Sequence, residues 1–384
     1  MSLITNTKDL IKACKKLSKA KFITVDTEFI REKNYWAKLC LIQVASLKEE
    51  FIIDPLAEDI NLDAFYELMA NKKVLKVFHA CRQDMEIFFI EMKGKLPTPI
   101  FDAQIAAMVC GYGEQVSYEH LVNSIVKKNL DKSSRFTDWA QRPLTPKQLE
   151  YAISDVTHLR DIYLKLSEDL EAKKRKSWIK DEMQVLTNKE IYNPDPQESW
   201  KKIKINTNNR RTLGVLQELA AWREITAQKM DVPKSRILRD EALSNIALNP
   251  PKTQKDFASM RGLPGGLADN SMGKEIMEAI KRGQAQKNKE LPERKKSEAM
   301  PGGIAPSVEL LKVLLKMKSE DSGVAHRMIA NNADLEQLAA YKDKAEIAAM
   351  SGWRLKLFGA DALKLLNGKL ALSLEDHKVK IIKS

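Results

Sequence analysis

Four carboxylates and one phenol in this chain stand at spacings that could do chemistry. Asp26 and Glu28 close the run "FITVDTEF". Residues two apart on a strand point to the same face. Two carboxylates side by side on a buried strand repel each other and resist desolvation unless a cation neutralises them. Oxygen-only ligands of this kind suit Mg²⁺ or Mn²⁺. The plain alternative is a strand end in solvent, although apolar Val25 and Phe29 flank the pair. Asp84, in "KVFHACRQDMEIF", falls at the start of a helix, where the helix dipole alone favours an acid. Asp155 lies in "YAISDVTHL", on one helix face with Tyr151 a turn before it and His158 a turn after. A core does not need four such acids. A two-cation phosphoryl-transfer site does.

The elements around these residues read as a mixed sheet with helices packed on it. Strand-like runs at 21–26, 38–46 and 50–55 follow a short amphipathic helix. Helix and strand then alternate through "LDAFYELMA", "VLKVFHA", "CRQDMEIFFIEM" and "TPIFDA", and the chain turns helical after Gly113. "SYEHLVNSIVKKNL" is expected as one helix. Thr145 and Pro146 suit the N-cap and first position of the helix that carries Tyr151 and Asp155. The reading therefore divides the chain into an α/β domain at 1–190, a linker at 191–210, a helical domain at 211–284, a linker at 285–306 and a second helical domain at 307–378. The two helical segments look like a diverged repeat, "RILRDEALSNIA" matching "RMIANNADLEQLA".

Charge divides along the same line. Of the net +12, residues 1–200 contribute zero (30 basic, 30 acidic) and residues 201–384 contribute all of it (34 against 22). A neutral first half and a basic second half suggest chemistry in one and a polyanion held by the other. No apolar run approaches the ~20 residues of a membrane span. The four cysteines are far apart, with no metal-binding or disulfide spacing. The N-terminus lacks an apolar leader core, so a reduced cytoplasmic protein is expected.

Asp26-x-Glu28, Asp84 and Tyr151-x-x-x-Asp155 resemble the DEDD exonuclease superfamily in its tyrosine subclass. "VDTEFIREKNYWAKLCLIQVA", "FDAQIAAM" and "LDKSSRFTDWAQRPLTPKQLEYAISDVTHL" are similar to the bacterial ribonuclease D family, and the helical repeats resemble tandem HRDC domains. The resemblance covers nearly the whole chain. Ala37 departs from it, standing where the family often has proline. It implies an RNase H-like mixed-sheet exonuclease domain followed by two HRDC-like bundles. It implies a 3′–5′ exoribonuclease that releases nucleoside 5′-monophosphates, acts on tRNA precursors with 3′ extensions and works as a monomer. By the same resemblance Asp26, Glu28, Asp84 and Asp155 hold two divalent cations, Mg²⁺ or Mn²⁺, and Tyr151 orients the attacking water. His158 falls outside that pattern. His79, Arg135, Trp139 and Arg142 are further candidates for contact with RNA, each with a packing role as the alternative. A DNA exonuclease or a non-catalytic nucleic-acid scaffold are the competing readings.

Overall fold

The computed structural model describes residues 2–131, 137–294 and 300–383. The N-terminal domain has strands β1 (Ser2–Ile4), β2 (Phe22–Ile30), β3 (Lys38–Ala45), β4 (Glu50–Ile53), β5 (Leu75–Phe78) and β6 (Ile100–Asp102). Its helices are α1 (Thr7–Leu17), α2 (Asp63–Ala70), α3 (Arg82–Glu91), α4 (Ala103–Cys110), α5 (Tyr118–Leu121), α6 (Pro146–Ala172) and α7 (Lys180–Leu186). The strands form one mixed sheet in the order β1-β4-β3-β2-β5-β6, with β3 antiparallel to both neighbours. β1 is too short for a periodic signal and was absent from the sequence reading.

Helices cover both faces of the sheet. Leu10 and Leu17 of α1, Phe65 of α2 and Phe88 of α3 pack with Ile23 and Val25 on one side. α6 covers the other, where the Thr24 hydroxyl donates to the Val156 carbonyl at 2.7 Å. α6 begins at the expected N-cap, Thr145, in a capping box: Thr145 accepts from the Gln148 amide, and the Gln148 side chain accepts from the Thr145 amide. The segment 117–130 is not one helix. α5 gives way to a π-helical turn at Val122–Val126, which ends at Lys127 in the left-handed region.

The first helical domain holds α8 (Arg210–Met230), α9 (Lys234–Ile237), α10 (Asp240–Leu248), α11 (Gln254–Ala258) and α12 (Ser271–Ala285). The segment 191–210, read as a linker, is packed along much of its length: Tyr192 is buried in the core of the N-terminal domain, and the stretch from Pro196 on belongs to this helical domain. Pro196–Lys202 forms a 3₁₀ turn, and Trp200, Ile203 and Ile205 are buried in the domain's core. Its prolines and its lack of period concealed three apolar side chains that α8 buries. The second expected linker is also pinned as far as residue 294. Arg294 donates to the Ile203 and Ile205 carbonyls at 2.7 and 3.1 Å, and Leu291 is buried.

The C-terminal domain holds α13 (Ala305–Ser322), α14 (His326–Ile329), α15 (Asn332–Tyr341), α16 (Gly352–Arg354) and α17 (Ala360–Leu366). It is not wholly helical. β7 (Leu370–Glu375) and β8 (Lys378–Lys383) form an antiparallel hairpin across Asp376 and His377, both at positive φ. Such a two-residue turn matches the strand twist. The alternation in "LALSLE" and "VKIIK" was its signal in the sequence. The two helical domains share a local course. In each, a four-residue helix (α9, α14) is followed by two extended residues, Leu238 (φ −163°) and Arg239 or Ala330 (φ −158°) and Asn331, and then by the next helix.

Both helical domains dock on the first. Asp231 accepts from the Asn34 amide at 2.7 Å and the Trp36 backbone N–H at 2.9 Å. The Ala325 N–H donates to the Met108 carbonyl at 2.9 Å, and Arg175 bridges the Val109 and Ser322 carbonyls. At this seam Gly111 has φ +97°, and a Cβ there would lie 2.7 Å from the Gly323 carbonyl, so only glycine fits. Trp178 and Trp353 stack across the same seam with ring centroids 4.3 Å apart. Trp353 is therefore an interface residue. Trp222 is a core residue, with its indole N–H bonded to Glu275 at 2.8 Å.

Candidate active site

β2 pairs with β5 only through Phe22–Thr24 and then runs on beyond β5's pairing. Asp26 and Glu28 sit on this overhang, with Thr27 between them facing the other way. The register of β2 against β3 shifts between Glu28 and Phe29, an irregularity that bends the strand just past the pair. α6 brings Asp155 over the same face. One carboxylate oxygen each from Asp26, Glu28 and Asp155 lie within 4.8 Å of one another.

Asp84 stands outside that trio and is held separately. The Thr27 hydroxyl donates to its Oδ1 at 2.5 Å. The turn that begins its helix is fixed by Asp102, which accepts from the Ala80 and Cys81 N–H groups at 3.2 and 2.8 Å while capping α4. Ala80 takes a positive φ there, so a one-residue bend aims the first turn of α3 at β2.

Electrostatics mark the cluster as incomplete by itself. Burial, and then the charge of Asp155, push the Asp26 carboxyl well above the usual carboxylate range, against a smaller opposing pull from the Thr27 N–H. Burial, and then the charge of Asp26, do the same to Asp84. Protons or cations must relieve this repulsion. The donor set is all carboxylate oxygen, so the residues present fit hard divalent cations.

A cleft of about 210 Å³ opens onto the cluster, lined among others by Asp26, His79, Tyr118, Tyr151 and Asp155. The expected tyrosine thus shares a cleft with two of the acids. His158 is half-buried and does not line it. His79 lines it with a buried Nδ1 that has no hydrogen-bond partner, its ring 5.4 Å from that of Tyr118. Burial lowers the pKa of His79 and favours the neutral imidazole.

Tyr118 is a site residue that the sequence reading missed. Its hydroxyl donates to the carbonyl of Asp155, tying α5 to the helix turn that presents the acid. Burial, then Asp155 and Asp26, push its phenol well above the ordinary range, so it stays a donor. Nothing in "SYEHL" distinguishes it; only the packing of α5 on α6 does.

Two of the expected RNA contacts are structural instead. Trp139 is 3% exposed, packed among Leu41, Ile52 and Ala152, with its ring 6.0 Å from that of Tyr151. A stacking platform needs an open face; this indole supports Tyr151 from below. Arg142 grips Asp54 with two bonds of 2.7 Å and also donates to the Cys40, Trp139 and Gln141 carbonyls. That commitment leaves it no donor for a phosphate. Arg142→Ala would strand the buried Asp54 carboxylate, and it is expected to cost about 2–4 kcal/mol of stability. A urea titration would show this as a lower midpoint. A phosphate-binding arginine would instead lose RNA affinity at unchanged stability. Arg135 lies outside the described residues.

The comparisons agree with this geometry. A 3′–5′ exonuclease family profile matches residues 1–171, and an HRDC domain profile matches residues 212–280. Ribonuclease D of Nitrobacter hamburgensis is 46% identical over 379 residues, spanning 99% of this chain and 98% of that protein. Ribonuclease D of a Jannaschia species is 46% identical over 383 residues, with the same coverage. Escherichia coli RNase D, described as an exoribonuclease involved in structured RNA processing, superposes with a TM-score of 0.80 at 27% identity. That match covers 96% of this chain and 98% of the other. With the acidic cluster in place and relatives aligned from end to end, the chain belongs to the ribonuclease D family and is a metal-dependent 3′–5′ exoribonuclease.

Proposed function

We propose that the chain hydrolyses the 3′-terminal phosphodiester of RNA by a two-cation mechanism, releasing nucleoside 5′-monophosphates, with tRNA precursors bearing 3′ extensions as its main substrates. The observation that carries this reading is the trio of carboxylate oxygens within 4.8 Å, in a cleft that Tyr151 shares. Asp26 would serve both cations, Glu28 and Asp155 would complete one, and Asp84, held apart by Thr27, would serve the other. Mg²⁺ or Mn²⁺ bound there would supply activation of the attacking water and neutralise charge on the phosphodiester. Tyr151 orients that water; an ordinary phenol titrates near pH ~10, too high for a full base at neutral pH. His79, neutral and unpartnered at Nδ1, offers a hydrogen bond to the terminal nucleotide. Incubation of 3′-labelled RNA and matched DNA with each cation tests the reaction. Release of labelled 5′-monophosphate from RNA supports it, and preference for DNA would overturn the substrate assignment.

The domain scheme belongs to the same proposal. Residues 1–190 do the chemistry, 211–284 form an HRDC-like domain, and 307–378 form a second one that ends in the hairpin. The matching courses of α9–α10 and α14–α15, each joined by two extended residues, support the second assignment. The protein works in the cytoplasm as a monomer. In the C-terminal domain a groove of about 720 Å³ is lined by Lys312, Lys316, His326 and Arg327, with no carboxylate among its described lining residues. His326 bonds Glu114 at 2.8 Å, which places the groove beside the loop leading to Ser117 and Tyr118 of the cleft. A folded RNA would lay its phosphates along this groove. Lys316→Glu with Arg327→Glu is expected to weaken binding of folded RNA and reduce the salt slope by ~1–2, each phosphate contact contributing roughly 0.7–0.9. Cleavage of short oligonucleotides should be spared. A salt titration of binding reads both effects, and an unchanged slope would remove the groove from the RNA path.

A further inference from the structure

Beside Asp26 the sheet holds an amide with nothing to bond. Gln43 is fully buried, and neither its Nε2 nor its Oε1 has a hydrogen-bond partner. It stands directly opposite Asp26 in the β2–β3 register. Opposed residues of an antiparallel pair share a face, with Cβ atoms about 5 Å apart. That face is the one α6 covers, because Thr24, two residues before Asp26, bonds Val156. Apolar side chains also flank Gln43 on its face of the sheet. Ile52, its partner on β4, and Leu41, two residues along β3, pack together with Ala152 of α6. Thr24 is already committed to the Val156 and Ala45 carbonyls. Asp26 is the polar group directly across the strand from the amide, with Glu28 diagonal to it on the same face.

An unsatisfied buried amide bears its full desolvation penalty, and an apolar side chain of the same size would avoid it. The penalty is lifted once a charged acceptor comes within reach. Asp26, directly opposite, is the acceptor that the strand register offers. We infer that Gln43 is a positioning residue for the cation site: its Nε2–H holds the Asp26 oxygen turned away from the cations. This rests on reading Asp26 as a cation ligand. Groups that orient ligands in this way typically change metal affinity by about 10–100-fold when removed.

The test uses the full chain, stripped with chelator, and Mn²⁺ titration calorimetry on wild type, Gln43→Met and Asp26→Ala. Methionine keeps the length and loses both polar atoms; Gln43→Leu gives the same readout if methionine strains the layer. Gln43→Met should unfold in chelator at the same or a higher temperature than wild type. Its Mn²⁺ affinity should fall about 10–100-fold, and kcat should recover at saturating Mn²⁺. Mn²⁺ affinity within about twofold of wild type, with Asp26→Ala binding lost, would overturn the role of Gln43 alone. Wild-type binding that Asp26→Ala leaves unchanged would overturn the cation-site reading beneath it.

Discussion

Asp26→Ala is expected to lower metal-dependent release from 3′-labelled RNA by at least about 10³-fold, or roughly 4 kcal/mol of transition-state stabilisation. Asp26 is the acid that meets all the others. Its oxygen lies within 4.8 Å of those of Glu28 and Asp155, and its charge is felt by the Asp84 carboxyl. No other single substitution touches both proposed cation positions. The same change should not harm the fold. Asp26 is held in a strand whose neighbours repel its charge, so alanine removes a strained group and leaves the β2–β3 pairing intact. An unfolding temperature in chelator at or above that of wild type, with activity lost, separates a chemical role from a structural one. Retained activity would remove Asp26 from the reaction.

Tyr151→Phe is expected to lower kcat by about 10²–10³-fold, within the usual range for a positioned group acting on a proton in the transition state. Cation affinity should hold, because the phenol is outside the carboxylate trio. The ring itself should stay in place, since Trp139 supports it from below and phenylalanine keeps the same contact. His158→Ala should change kcat by less than about twofold, since His158 does not line the cleft. Single-turnover rates at saturating Mn²⁺, alongside calorimetric cation binding, distinguish the two variants. A silent Tyr151→Phe together with a crippled His158→Ala would reverse their roles.

The carboxylates were legible because their spacing is local. Asp26 and Glu28 share a face by strand geometry alone, and Tyr151 and Asp155 by helix geometry, so periodicity could pair them before any fold was known. The N-cap at Thr145 was legible for the same reason. The flanking groups were not. Trp139 and Arg142 offered an aromatic and a cation at plausible spacing. Burial against Ile52 and a two-pronged bond to Asp54 assigned them to the framework. The linkers failed similarly: Trp200 and Ile203 lie in a stretch without period, and α8 buries them.

By itself, then, the sequence determined which residue types are proposed to carry the reaction and on which strand or helix face each stands, because both depend on contacts a few residues apart. The tertiary structure alone decided what those faces meet. It set Asp155 of α6 over β2, brought Tyr118 under Asp155, held Asp84 through Thr27 and placed Gln43 beside Asp26. Such partners come from elements far apart in the chain, as with Thr24 and Val156, separated by 132 positions. Their meeting depends on how the whole sheet and its covering helices bury their apolar faces, and no local pattern encodes that.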